Sequence, residues 1–371
     1  MAKKGDGDRY RVDVIHAKSL EGNPINSPVD RELYVYLPPD YFESKDKRYP
    51  VVIFLHGYTG NNQKMTIVST IEDNKNLPVK LIPPEILQQI DLDRILSYAR
   101  LDELISKGEL EPFILVQPDG SLHLPHKDGA KDFTGAVQTK GSFFVNSPYT
   151  GNFEDYIVKD VIDYVDANYR TIPDRQHRAL IGGSMGGYGT LSICLHHPEK
   201  FIVAAALSPA NITIDLLDWK LVTPIYEKLL GREIAEQLGA SSYSDILDTF
   251  DILFSRDNPL MPSIKRDKNG KIVKWSKRAA NNWQKYDINQ MIRKNPKALK
   301  KVHLLINCES TDEYGLTQEA RKIHETLVEL GIEHQFEIYS DPKAALSPHI
   351  LGIAYHILPG IKFCLQKCTK S

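Results

Sequence analysis

The densest chemistry in this chain lies in "RALIGGSMGGYGTLSICLHHPEKF", residues 178–201, where an apolar run, a serine set among glycines and a helical pattern follow one another. A serine hydroxyl is a weak nucleophile until a base and a suitable geometry activate it. Gly182-Gly183-Ser184-Met185-Gly186 supplies the geometry. A strand that turns abruptly into a helix puts the serine in a strained backbone conformation, so its neighbours must be small. The hydroxyl then stands at a helix N-terminus, where the dipole and free N–H groups favour developing negative charge. A dinucleotide-binding loop fits less well, because the G-x-G-x-x-G spacing is not met and no acid follows about 20 residues on. A merely structural Gly-rich turn is the plainer alternative, and the strand-turn-helix context favours the nucleophile.

The G-x-S-x-G pattern is the nucleophile elbow of α/β-hydrolases, whose triads run in the chain order Ser, acid, His. Both partners of Ser184 should therefore lie downstream, on loops that follow later strands. After the strand-like "VHLLINC" comes "ESTDEYGL", and Asp312 stands where the strand ends before a helix near Leu316. Glu309 and Glu313 are its neighbours, while Asp215 and Asp218 follow the preceding strand. For the base, "HQFEIYS" is followed by "DPKAALSPHIL", which delivers His349 to a loop just before the last helix. His356 lies about two helical turns further on and is expected to face a helix groove. An oxyanion hole needs two aimed N–H groups, and the amide of Met185 is one. Tyr58, behind His56-Gly57 in "FLHGYTGNN", is placed to give the other. His56 itself is read as a buried residue tying that loop. His123 and His126 lack a companion cluster, so no metal site is expected.

These residues need a scaffold, and the chain supplies one. Eight short β-rich runs, "YRVDVIHA", "RELYVYLP", "PVVIFLHG", "FILVQPDG", "RALIGGS", "IVAAALSP", "VHLLINC" and "HQFEIYS", alternate with helical patterns. That is the signature of an α/β fold with a mostly parallel central sheet flanked by helices. The first two runs are expected to start the sheet antiparallel. "NFEDYIVKDVIDYVDANYR" predicts a helix capped by Asn152, and "LTQEARKIHETLVEL" one that Gly331 stops. "HILGIAYHILPGIKFC" predicts a helix that Pro359 kinks or restarts.

Two stretches break the rhythm. Residues 61–98 carry charge and Pro83-Pro84 but no strand, and residues 211–296 hold the turn dipeptide Asn269-Gly270 inside the hairpin pattern "SIKRDKNGKIVKW". The expected organisation is a hydrolase core of residues 1–210 plus 297–371, with a smaller insertion at 61–98 and a cap at 211–296. All three tryptophans, Trp219, Trp275 and Trp283, fall in the cap, where they either line a substrate pocket or build the core of a small subdomain.

With 46 Lys and Arg against 48 Asp and Glu, the net charge is −2, and no basic face advertises nucleic acid or an anionic membrane as a partner. "MAKKGDGDRY" lacks the apolar stretch of a signal peptide, and "HILGIAYHILPGI" falls short of the ~20 residues needed to span a bilayer. A cytoplasmic protein is expected. Cys194, Cys308, Cys364 and Cys368 show no CxxC pair, which suits a reducing compartment.

Taken together, "VVIFLHGYTGN", "PFILVQPDG", "NFEDYIVKDVIDYVDANYRT", "GGSMGGYGTLSICLHHPEKF", "CESTDEYGL" and "SPHIL" resemble the putative-esterase family of α/β-hydrolases, which includes esterase D (S-formylglutathione hydrolase) and feruloyl esterases. "SMGGYG" is closer to the feruloyl and acetyl esterase branch. The resemblance implies a Ser184, Asp312, His349 triad with Tyr58 and Met185 as oxyanion donors, no cofactor, and a small-molecule ester as substrate. It leaves open a carboxylesterase, a feruloyl or acetyl-xylan-type esterase, an acyltransferase, and a binding protein on a hydrolase scaffold.

Overall fold

Strand interiors that read as unbroken apolar runs need cover on both faces, and the sheet provides it. The computed structural model describes residues 9–58, 85, 88–123, 139–213, 250–255, 264–266, 272–275 and 277–368. Its main sheet has eight strands, which we number β1 (Tyr10–His16), β2 (Asp30–Tyr36), β3 (Val51–Leu55), β4 (Ile114–Pro118), β5 (Arg178–Gly183), β6 (Val203–Leu207), β7 (His303–Glu309) and β8 (Gln335–Tyr339). Their order is β1-β2-β4-β3-β5-β6-β7-β8. β1, β2 and β4 pair antiparallel, and every pair from β4 through β3 to β8 is parallel. All eight strands coincide with the eight β-rich runs of the sequence, including the antiparallel start.

The helices are α1 (Tyr98–Ser106); α2, built from Phe153–Asp155, a π-helical stretch Tyr156–Val161 and Ile162–Asn168; α3 (Met185–His196); α4 (Lys277–Gln284); α5 (Ile288–Lys294); α6 (Leu316–Glu329); and α7 (Pro348–Lys367). Alternation along the strands divides the core. Val51, Ile53 and Leu55 of β3 pack with Ile157 and Val161 of α2, Leu191 of α3 and Ile323 of α6. Val52 and Phe54 pack on the other face with Leu101 of α1 and Ile357 and Ile361 of α7.

Three local expectations need correction. Asn152 occupies the cap position of α2 without a side-chain capping bond. Asn146 does that work from outside the helix, accepting from the Asp155 amide at 3.0 Å and donating to the Asp155 carboxylate at 3.1 Å. Pro359 neither stops nor restarts the last helix, which runs continuously from Pro348 to Lys367. Burial of Ile353, Ile357, Ile361 and Leu365 against the sheet outweighs the single backbone bond that a proline removes. His349 also lies inside the first turn of that helix, not in the loop before it.

The hairpin predicted within the second insertion is present as antiparallel strands Ile264–Arg266 and Ile272–Trp275, while its Asn269-Gly270 turn lies outside the described residues. So do residues 214–249, Trp219 among them, and residues 61–84, 86 and 87 of the first insertion. The described remainder of the second insertion is woven into the core. Phe250, Phe254, Trp283, Ile288 and Ile292 join the cluster that includes α3 and α6. Buried Asn211 clasps the two ends of the insertion. Its Nδ2 donates to Asp287 and to Glu319 of α6, and its Oδ1 accepts from the amides of Ile212 and Ile288. No described helix is long and apolar enough to cross a membrane.

Candidate active site

Ser184 sits between the last residue of β5 and the first of α3, with φ 58° and ψ −118°. An L-residue held there costs on the order of 1–3 kcal/mol, so the surroundings must enforce it. They do so through the backbone. The Ser184 amide donates to Leu207 O at 2.9 Å, and its carbonyl accepts from Tyr188 N and Ala210 N, both at 3.0 Å. The glycines of the motif are explained by what a side chain would strike. A Cβ at residue 182 would stand 2.4 Å from Gly186 O, and one at residue 186 would stand 2.0 Å from Leu55 O. Close packing of β5 on the first turn of α3 demands glycine at 182, and close packing of that turn on β3 demands it at 186.

The loop after β3 lies against this elbow. A Cβ built on Gly57, the residue before Tyr58, would be 3.8 Å from Ser184 Cβ. His56 holds the loop in place. It is buried, its Nδ1 pairs with Gly57 O at 2.8 Å, and its Nε2 accepts from the Gly120 amide at 2.9 Å. Burial lowers its pKa, which suits a neutral ring with one donor and one acceptor. That arrangement is the tying role expected of it. Met185 opens α3, so its N–H has no acceptor within the helix.

Asp312 and His349 meet across 37 residues of chain. The Asp312 Oδ2 to His349 Nδ1 distance is 2.6 Å, and both side chains are almost wholly buried. The other carboxylate oxygen of Asp312 accepts from Tyr314 N at 3.0 Å and Leu316 N at 3.4 Å, so the turn itself aims Oδ2 at the imidazole. Desolvation disfavours a charged His349, but the charge and hydrogen bond of Asp312, with help from Glu313, outweigh it and raise the pKa above the ordinary histidine value. The Tyr314 ring packs edge-on to the imidazole at 4.8 Å.

Helix α7 brings the pair toward the elbow. Ile353 stands one helical turn after His349, and a Cβ on Gly183 would lie 2.5 Å from its Cγ2. The turn of α7 carrying His349 is therefore stacked beside the residue that precedes Ser184. Of the other acids named from the sequence, Glu309 has its own partners: it is buried and accepts from the Thr311 hydroxyl at 2.8 Å. Asp215 and Asp218 lie outside the described residues. His356 bonds back to Gly352 O and stacks on Tyr339 at 3.6 Å.

Of the tryptophans, Trp283 is fully buried, donates from its indole to Thr213 O at 2.9 Å, and packs on Phe250 and Phe254. Its burial favours the core-building one of the two readings. Trp219 lies outside the described residues, and for Trp275 only the strand is described. The aromatic residue beside the elbow that the sequence did not reveal is Phe143. Its amide contacts Met185 Sδ at 3.3 Å, its backbone has φ 55°, and its ring packs on Tyr58, Tyr188, Phe250 and Phe254. Nothing in "KGSFFVNSP" marks a positive φ, because the short strand Thr139–Gly141 that carries the chain there depends on a pairing with Ser121–His123.

The sequence profile of the family described as putative esterase matches residues 95–343, two thirds of the chain. The chain belongs to the putative esterase family. That match includes Ser184 and Asp312 and ends just short of His349. Over 247 residues the family member described here is 28% identical to the endo-1,4-beta-xylanase/feruloyl esterase of Xylanibacter ruminicola, covering 65% of this chain and 28% of that protein. The chain thus spans little more than a quarter of the length of that curated relative. Among solved structures, a ferulic acid esterase superposes with TM-score 0.54 at 17% identity over 96% of this chain and 97% of its own. The S-formylglutathione hydrolase of Staphylococcus aureus gives 0.50 at 16% identity over 95% and 98%. These likenesses establish the α/β-hydrolase fold for this esterase-family chain.

Proposed function

We propose that the chain is a serine carboxylesterase, with Ser184 as nucleophile, His349 as general base and acid, Asp312 as the residue that orients it, and the amides of Tyr58 and Met185 as the oxyanion hole. The observation that carries this reading is the Asp312–His349 couple on a helix stacked beside the strained serine elbow. With Nδ1–H donated to Asp312, the His349 Nε2 is the free basic nitrogen. It takes the proton as Ser184 Oγ attacks the ester carbonyl, then returns it to the departing alcohol, leaving an acyl-enzyme. A water attacks that acyl carbon by the same route and frees Ser184. Charge on the carbonyl oxygen grows only in the tetrahedral species, so preorganised amides favour it over the ground state.

A feruloyl-type substrate is the second reading. It is supported by the feruloyl esterase named among the relatives and by the partly exposed Tyr58 beside the elbow, backed by the buried rings of Phe143 and Phe250. Initial rates on p-nitrophenyl acetate, butyrate and octanoate and on methyl ferulate choose between the two. A fluorophosphonate probe tests the class, with labelling expected for the wild type and lost in Ser184→Ala. Equal labelling of both proteins, or none of the wild type, would leave a binding protein on a hydrolase scaffold as the better account.

A further inference from the structure

Glu313 follows Asp312 in the chain, yet its side chain turns the other way and holds the start of α7. One carboxylate oxygen accepts from the Ser347 hydroxyl at 2.7 Å, and the other accepts from the backbone amide of His349 at 2.6 Å. Ser347 is the N-cap of α7, and His349 lies in its first turn, whose leading N–H groups have no intrahelical acceptor. Two adjacent acids on one turn therefore seize the same histidine at two points. Asp312 holds the ring and Glu313 holds the main chain that bears it.

We propose that Glu313 is a positioning residue for ester hydrolysis, gripping the first turn of α7 so that the His349 imidazole is fixed relative to Asp312 and Ser184. The inference rests on the triad reading above. A ring anchored only at Nδ1 can still swing about its Cα–Cβ bond and slide with its helix. Anchoring the His349 amide and the Ser347 cap to the loop that carries Asp312 removes the sliding motion. The distance from the base to the nucleophile is what such freedom would spoil, and displacements near 1 Å at this point cost roughly 100-fold in rate. Among the described residues, Asp312 and the Tyr314 ring touch the imidazole, and the Glu313 charge acts on it from the backbone side, all three from the loop after β7.

The test uses the full chain and p-nitrophenyl acetate. Glu313→Ala is expected to lower kcat roughly 10- to 100-fold with KM nearly unchanged, because the lost interaction acts on the base and not on bound substrate. Glu313→Gln keeps an acceptor for the His349 amide, so it should restore most of kcat. Both variants should move the acidic limb of the kcat/KM profile to lower pH, since each removes a negative charge near the ring. A purely structural role would lower melting temperature without lowering kcat at constant KM. Wild-type kcat and pH profile in Glu313→Ala would overturn the proposal, as would a kcat loss that Gln fails to restore.

Should Glu313→Ala not fold, Ser347→Ala takes its place by removing one of the two donors. A several-fold fall in kcat at constant KM supports the grip, and an unchanged kcat refutes it. Fluorophosphonate labelling of the wild type and of Ser184→Ala, run alongside, separates failure of this proposal from failure of the triad reading.

Discussion

Replacing Asp312 by Asn probes the proposed site most sharply, because the structure dictates how the new amide must sit. Asp312 Oδ1 accepts from two backbone amides, Tyr314 N at 3.0 Å and Leu316 N at 3.4 Å. The carbonyl oxygen of Asn is drawn to that side, so its NH2 group faces His349 Nδ1. A donor there requires Nδ1 to accept, which moves the ring proton to Nε2, the nitrogen that must receive the serine proton. The charge is lost as well. With the atoms in contact at 2.6 Å, the charge centres stand about 4 Å apart, worth about 4 kcal/mol at an effective dielectric of 20. At 1.36 kcal/mol per decade that is roughly a 10³-fold loss, and the wrong tautomer carries it toward ~10⁴. The assay is kcat/KM for p-nitrophenyl acetate from about pH 5 to 9, with circular dichroism to show that the fold survives. Wild-type activity should fall off on the acid side at a pH above that of an ordinary histidine, since the base must be neutral and its pKa is raised. A folded Asp312→Asn protein that kept more than about a tenth of the wild-type rate would show that Asp312 does not direct the base.

Other consequences lie outside the site. Buried Glu154 of α2 bonds His196 at 2.8 Å and His197 at 2.9 Å; desolvation opposes its charge, but these bonds hold its pKa below the ordinary 4.5, while the bond to Glu154 raises that of His197 above 6.5. The Glu154 contribution to stability is present above 4.5 and lost as pH falls through its folded pKa, whereas the His197 contribution is complete below 6.5 and lost as pH rises through its folded pKa. Melting temperature measured against pH should therefore carry a component that peaks between those values, and Glu154→Gln should remove it; an identical profile in the mutant would count against the cluster. Trp283→Ala should cost about 3–5 kcal/mol in urea unfolding, because it empties the centre of the Phe250–Phe254 cluster, and a loss below about 1 kcal/mol would mean that the side chain is not core. Gly186→Ala should yield little folded protein, because its methyl group would meet Leu55 O at 2.0 Å; normal yield and activity would show that the elbow can open.

Much of this protein was legible in its sequence where the information is local. Strand periodicity, a serine among glycines and a stop at Gly331 each depend on a few neighbouring residues, and the elbow, the eight strands and the end of α6 follow from them. Chain order narrowed the candidate acids to the loops after β6 and β7 and the candidate base to the chain after β8, because in an elbow of this kind both partners follow the serine. What the sequence could not decide was contact between distant segments. Whether Asp312, Glu309 or Glu313 would face His349 depended on which oxygens the turn's own amides occupied. That Pro359 would be carried inside a helix depended on the apolar face of α7 finding the sheet. Trp283 became core, and Phe143 came to stand beside Met185, through packing between segments far apart in the chain, which leaves no pattern within either segment. Local backbone preference sets which elements form, while burial shared between elements sets which side chains meet, and the proposed chemistry resides in those meetings.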